Sequence, residues 1–383
     1  MKNLILFDDE NWAGLWPLTL TRPTASLRVG IFKIEEKWSR RLSGKTSYQT
    51  QDYLTGKFVK VCEKDNLFIN GSCLPDDELS NAVNSLEYGQ YLAQGPVTLS
   101  ARYGSDFLSS NILSQLTKIE YKRPARLIRH PEDLVVLNSS EIQNDFELIS
   151  RTNGISEAHN QRSINDENVI VGRGSELSNG ILNTSKGPIF ISSQVKLLEN
   201  VVIHGPAFIG EKSVVKVGAV IYGGTSIGPG CTIGGEVKNS TFYAYSNKGH
   251  YGYIGDSVIG EWCNLGAGTT TSNMKNTYGE IGVFDMNLKT NRKTGLQFCG
   301  AFIGDYTRSS INSLLTTGST IGVNSIVHTG LNNNYVRSFS WDENERFTLE
   351  KAISIAKRVH NRRQIPFSEE EAKILHHIYH NFC

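Results

Sequence analysis

Residues 191–233 read ISSQVKLLENVVIHGPAFIGEKSVVKVGAVIYGGTSIGPGCTI. Ile191, Leu197, Ile203, Ile209, Val215, Ile221, Ile227 and Ile233 return at every sixth position. Two residues before each stands Ile189, Val195, Val201, Ala207, Ser213, Ala219, Thr225 or Cys231, mostly small or β-branched. Neither an α-helix nor an alternating strand has a period of six. A hexapeptide period predicts a parallel β-helix, in which three six-residue sides make one triangular coil and each aliphatic side chain stacks on the coil below. Eighteen residues then complete a turn.

The remainder of the chain is too long for this solenoid alone. At 383 residues the length predicts more than one domain. Lysine and arginine (39) nearly balance aspartate and glutamate (38), which argues against a global nucleic-acid or membrane-surface role. The six cysteines (Cys62, Cys73, Cys231, Cys263, Cys299 and Cys383) form no CxxC pair and no metal-ligand spacing, so they read as reduced thiols of a cytoplasmic protein. No apolar run has the length of a membrane span, and Met1 to Phe7 is too short for a signal peptide before Asp8 and Asp9. Membrane insertion is therefore not expected.

Working outward toward the N-terminus, Lys2 to Phe7 is nearly continuous in apolar residues and predicts a buried strand opening an α/β domain. Pro17-Leu18-Thr19, Thr21-Arg22-Pro23 and Leu27-Arg28-Val29-Gly30 follow, leading into a helix expected over 31–42. A loop and helix start after the first strand is the usual phosphate-binding position of a nucleotide fold. These segments resemble the N-terminal signature of sugar nucleotidyltransferases. The family's glycine loop is replaced here by Asp8-Asp9-Glu10-Asn11-Trp12-Ala13-Gly14, and the lysine after the proline by Thr24. Leu67 to Pro75 resembles the strand end carrying the family's metal-binding aspartate, with Ser72 in that place and Asp76 and Asp77 close behind. The resemblance implies nucleotide-binding candidates Arg22, Arg28, Asn70, Ser72 and Asn138, the last matching a second metal-site position. Short strands are expected within 119–127, and 133–138 is expected to close this domain.

Toward the C-terminus, the period is expected to break at Glu236-Val237-Lys238 and to return at Ile259 and Leu265. A polar insertion spans 274–302, and the hexads resume at Ile303, Ser309, Leu315, Ile321 and Val327. Two helices are expected over 348–363 and 368–380, the second opened by a Ser368-x-x-Glu371 capping box. The expected division is an α/β domain over 1–148, a linker over 149–166, a β-helix over 167–340 and a helical tail over 341–383.

Lys238, Gly249-His250-Tyr251-Gly252-Tyr253-Ile254-Gly255-Asp256, Asn264-Leu265-Gly266-Ala267-Gly268-Thr269 and Asn273 resemble, spacing for spacing, the acetyltransferase core of the bifunctional glucosamine-1-phosphate acetyltransferase/uridylyltransferase family. That resemblance implies a left-handed β-helix, although general rules favour right-handed crossovers. It also implies a homotrimer with sites between neighbours, and acetyl transfer from acetyl-CoA to an amino-sugar phosphate in nucleotide-sugar and cell-envelope precursor biosynthesis. His250 would be the general base, the side chain that titrates near neutrality. The Ala267 backbone would be the oxyanion donor. Lys238 and Tyr253 would hold the sugar phosphate, and Asn264 and Asn273 the amine and sugar. The family's additional phosphate arginine has no counterpart near Val220. Its lysine over the coenzyme A phosphates is replaced by Gly279, with Lys275, Lys289, Arg292 and Lys293 of the insertion as substitutes. Two other readings remain open. One is a sugar-1-phosphate nucleotidyltransferase using UTP or dTTP and Mg²⁺, with the β-helix as a trimerising scaffold. The other is a non-catalytic protein that binds a nucleotide sugar or coenzyme A and regulates.

Overall fold

The computed structural model describes residues 2–104, 108–153, 162–164, 168–328, 331, 333–341 and 345–382. Much of the expected linker, including 154–161 and 165–167, lies outside them.

The six-residue period builds three stacked faces of parallel strands, the left-handed hexapeptide β-helix. The first face carries Val171, Ile191, Ile209, Ile227, Phe242, Ile259, Ile303, Ile321 and Val336 in one inward column. From Ile191 to Ile321 the members of this column are 0% exposed. Complete burial of an aliphatic side chain contributes about 1.5–3 kcal/mol, so this column and its counterparts on the other two faces hold the solenoid together. The smaller inward residues serve the corners. Ser213, for example, donates to the Gly228 carbonyl and accepts the Cys231 N–H, at 2.9 and 3.0 Å.

The six-residue spacing breaks at Glu236–Lys238 as expected, but the stack of coils continues through it. That strand pairs below with Val220–Ile221 and above with Tyr253–Gly255, placing Val237 between Ile221 and Ile254. The coil instead becomes shorter: a tight Gly234-Gly235 corner carries Ile233 to Val237 in four residues rather than six. The insertion leaves after Thr271, forms an antiparallel hairpin of Gly282–Asp285 with Thr290–Lys293, and rejoins at Ala301–Ile303.

Residues 2–153 form an α/β layer. Its sheet runs Gly44–Gln49, Lys2–Phe7, Asn66–Asn70, Val97–Tyr103, Gln90–Gln94, Thr117–Glu120. The first three strands are parallel, so the carboxyl ends of Lys2–Phe7 and Asn66–Asn70 lie together. The helix expected from residue 31 spans Ile34–Leu42. The preceding turn is held open by Asp145, whose Oδ2 accepts the Ile31 and Phe32 N–H groups. Helix Asn138–Asn153 runs past the expected start of the linker. Ile142, Phe146 and Ile149 recur there at helical spacing and pack against Phe208 and Ile170 of the solenoid.

This layer covers the first face: Tyr243, Val258 and Phe302 join the α/β core. Helices Leu349–Arg362 and Glu369–Asn381 cover the corner after that face, where Ala352, Ala356 and Ile378 meet Trp262, Tyr306 and Phe339. Ser368 and Glu371 close the expected capping box. The third face, running from Ile181–Asn183 through Tyr253–Gly255 to Thr270–Thr271 and Leu314–Leu315, is left open. Near its leading corner Val217, Tyr251, Ile311 and Leu314 are 59–70% exposed. Among the described residues no helix is long and apolar enough to cross a membrane.

Candidate functional site

The α/β layer has a cavity of about 670 Å³ at the carboxyl ends of its strands, lined by Asp8, Asp9, Glu10, Asn11, Asn70, Thr98 and Arg129 among others. An acid occupies the position where a nucleotide fold presents N–H groups to phosphate. Asp8 accepts the Thr24 N–H at 2.8 Å and the Thr50 hydroxyl at 2.5 Å. Burial pushes its carboxyl up to about 6, against those two hydrogen bonds.

Asn70 stands in the cavity wall and donates to Asp9 and to the Thr98 carbonyl. Ser72 is 1% exposed and donates its N–H and hydroxyl to Asn70 Oδ1. Its hydroxyl is thereby turned to a side chain rather than to the cavity. No group of three His, Cys, Asp or Glu side chains converges on a metal position among the described residues. With a hydroxyl in the aspartate's place, this donor set does not fit a resident magnesium ion.

Arg22, Arg28 and Asn138 do not line the cavity; all three lie against the solenoid. Arg22 pairs with Glu261 at 3.0 Å and with Asp305. Arg28 donates to the Ile31 carbonyl and lies over the Phe208 ring. Asn138 accepts the Gly30 N–H and donates to the Gly224 carbonyl and the Ser226 hydroxyl, at 2.7, 2.6 and 3.1 Å. Asn138→Ala would orphan these buried groups, so it is expected to lower unfolding stability by about 1–3 kcal/mol. Urea denaturation checks this; an unchanged midpoint would contradict an interface role.

The solenoid residues form two groups at the ends of the open third face. At its far corner Asn273 donates to the Tyr253 hydroxyl at 3.0 Å and to Asp256 at 2.6 Å. Asp256 is also held by Asn239 at 2.7 Å. Lys238 lies beside Gly255 in the neighbouring strand, exposed, its ammonium 5.7 Å from the Phe298 ring. Burial pushes the Tyr253 phenol up to about 12, so it stays a neutral donor. At the leading corner His250 is exposed on a turn stacked on Ala267-Gly268, through Gly268 N–H to the Tyr251 carbonyl at 3.0 Å. The Ala267 carbonyl accepts from Asn312, while its N–H donates to no group among the described residues. Asn264 stands on the second face beside Asn247, with 3.4 Å between their side chains. The strand Tyr253–Gly255 joins the two corners at about 3.3 Å per residue.

One coil below Lys238, where an arginine is missing, stands Tyr222, its ring stacked 5.6 Å from His204. Of the insertion's cations, Arg292 is engaged by Glu132 at 2.7 Å and Lys275 donates to the Glu280 carbonyl. Lys293 is 87% exposed and 3.8 Å from Glu280, and Lys289 is exposed at the hairpin turn. Sequence reasoning passed over Asp256 and Asn312 as site-shaping residues. Asp256 lay within the quoted Gly-Asp pair, but nothing local distinguishes an aspartate that braces two asparagines from one facing solvent.

Residues 4–153 match the family model described as sugar nucleotidyl transferase. The chain is 31% identical over 121 residues to the bifunctional protein GlmU of Methanococcus vannielii, covering 32% of this chain and 28% of that protein. It is 38% identical over 96 residues to a bifunctional sugar-1-phosphate nucleotidylyltransferase/acetyltransferase of Sulfurisphaera tokodaii, covering 25% of this chain and 23% of that protein. Over these segments the chain is similar to GlmU-type bifunctional proteins. The match spans about a quarter of those relatives' own length. The polySia-specific acetyltransferase NeuO is 14% identical with a TM-score of 0.27, covering 54% of this chain and 97% of its own.

Proposed function

We propose that the chain transfers an acetyl group from acetyl-CoA to the amine of an amino-sugar phosphate such as glucosamine-1-phosphate, in nucleotide-sugar biosynthesis. The observation that carries this reading is the pairing of exposed His250 with the undonated Ala267 N–H at one corner of an open face, with Lys238, Tyr253 and Asn273 at the other.

In the mechanism, Lys238 and the Tyr253 hydroxyl hold the sugar phosphate, and Asn264 and Asn273 orient the sugar and its amine. The His250 imidazole takes a proton from the ammonium. The freed amine attacks the thioester carbonyl, forming the C–N bond, and the Ala267 N–H stabilises the resulting oxyanion. Collapse breaks the C–S bond. The attacking nitrogen gives up its second proton as the amide forms, and that proton neutralises the departing coenzyme A sulfur, which leaves as the thiol. His250 returns its own proton to solvent. Exposed Lys289 and Lys293 remain to meet the coenzyme A phosphates.

The protein is a homotrimer in this reading, acting in the cytoplasm on cell-envelope precursors. The first face and the corner after it are occupied by the chain's own α/β layer and tail, while the exposed Val217, Tyr251, Ile311 and Leu314 suit burial against a second copy. The working division is an α/β domain over 1–148, a linker over 149–166, a β-helix over 167–340 and a tail over 341–383.

The test is thiol release from acetyl-CoA with glucosamine-1-phosphate; release no greater than that of a His250→Ala control rejects this acceptor. Lys238→Ala is expected to raise KM for the acceptor about tenfold or more, the loss of a charge-assisted hydrogen bond, with KM for acetyl-CoA unchanged. A second reading, nucleotidyl transfer by residues 4–153, is favoured by the family match and the cavity beside Asn70. Pyrophosphate release from UTP or dTTP with a sugar phosphate supports it. Binding of a nucleotide sugar or coenzyme A with neither release supports a regulatory protein.

A further inference from the structure

The second face of the solenoid carries its own inward column: Leu177, Leu197, Val215, Ile233, then Lys248, then Leu265. A lysine therefore fills an aliphatic position, and it is 0% exposed. Its ammonium meets no carboxylate among the described residues. It donates to three backbone carbonyls, of His250 at 2.5 Å, Tyr251 at 3.1 Å and Gly234 at 3.2 Å. Burial alone pulls it down to about 8, and the turn that its Nζ bonds carries two other titratable side chains, His250 and Tyr251.

The reason lies in the short coil. From Ile233 the corner below reaches Val237 in four residues, whereas from Lys248 the corner above takes six to reach Ile254. The wider turn overhangs the narrower one: Gly268 N–H serves the Tyr251 carbonyl at 3.0 Å, as Gly218 N–H serves Glu199 in a regular coil, but the His250 and Gly234 carbonyls meet no backbone N–H among the described residues. Unserved buried carbonyls are costly, and an ammonium has three donors to offer them. The fit is close. A Cβ on Gly235, at φ +70°, would stand 2.8 Å from the His250 carbonyl oxygen and 3.0 Å from Lys248 Nζ.

We propose that Lys248 is a positioning residue for the acyl-transfer site: from inside the coil its ammonium holds the carbonyls of His250 and Tyr251, fixing the Gly249–Gly252 turn against Gly268 and so setting where the His250 imidazole stands beside the Ala267 N–H. The consequence for catalysis rests on the acyl-transfer reading; the clamp on the turn does not.

Lys248→Leu is the test. Leucine is what Leu197 and Leu265 already supply in this column, and replacing a buried, unpaired charge with an apolar group is commonly neutral or stabilising. The His250 and Tyr251 carbonyls stand on an exposed turn that water reaches, and the latter keeps Gly268 N–H, so of the three released acceptors only the Gly234 carbonyl is buried. Expected in the full-length variant are a melting temperature equal to or above wild type, and faster amide exchange confined to Gly249–Gly252 and Gly268. Thiol release should show kcat lowered roughly 10²-fold, the scale of a misplacement near 1 Å, with KM for acetyl-CoA unchanged. Unchanged exchange and kcat overturn the proposal. So does a loss of protection throughout the coils with a lowered melting temperature, which would make Lys248 a core residue only. If wild type releases no thiol and the variant still loosens this turn alone, the clamp stands and the acyl-transfer reading falls.

Discussion

His250→Ala is expected to lower kcat for thiol release by about 10²–10⁴-fold, the usual contribution of a positioned general base, with melting temperature unchanged. The side chain is exposed on its turn, so its removal opens no cavity and orphans no buried partner. The turn is held through backbone carbonyls by Lys248 and through Gly268 N–H, none of which the substitution touches. Loss of activity without loss of stability therefore separates chemistry from folding. A variant retaining wild-type kcat at pH 7 would remove His250 from the mechanism.

Arg22→Met is expected to destabilise the protein by about 3–5 kcal/mol, the cost of breaking a buried ion pair from one side. Arg22 is 4% exposed, and its partners Glu261 and Asp305 come from the solenoid. Asp305 also accepts from Thr21 at 2.7 Å and from the Glu261 N–H at 2.8 Å. Without the guanidinium two carboxylates face each other in a buried site. In the wild type Arg22 holds Glu261 at about 2 despite burial, while burial pushes Asp305 up. The lowered Glu261 contributes stability that is present above its ordinary 4.5 and lost as pH falls toward 2. In Arg22→Met both carboxyls would be raised by burial and by each other, so the variant gains relative stability as pH falls. Urea midpoints should accordingly differ more at pH 7.5 than at pH 5. Equal differences at the two pH values would show that the pair is not the source of the loss.

The solenoid was legible because its rule is local and repetitive: Ile191 through Ile233 state the coil height directly, and all eight residues face inward. The strands Lys2–Phe7 and both terminal helices were legible for the same reason, being decided by periodicity and caps within a dozen residues. The short coil was not. Two residues missing at Gly234-Gly235 look like an end of the repeat until the pairing of Val237 with Ile221 is known. Arg22 and Asn138 were misleading for a related reason. A polar residue near an expected phosphate site looks functional, yet their partners Asp305 and Gly224 lie 283 and 86 residues away. For His250, Lys238 and Asn273 the spacing was the signal, and the fold supplies what spacing lacks, the common open face.

A stack of coils is quasi-one-dimensional, each touching only its neighbours, and such arrays fray from their ends. The α/β layer alters that physics here. It grips the first face at Phe208, Ser226, Tyr243, Val258 and Phe302, one residue on each of five successive coils, all held by one sheet-and-helix body. It therefore acts as a splint: a middle coil cannot open without prying away a surface shared with coils above and below. A string of weakly coupled steps becomes a single cooperative unit, and the turn bearing His250 is carried on a backbone that has lost the freedom to ripple.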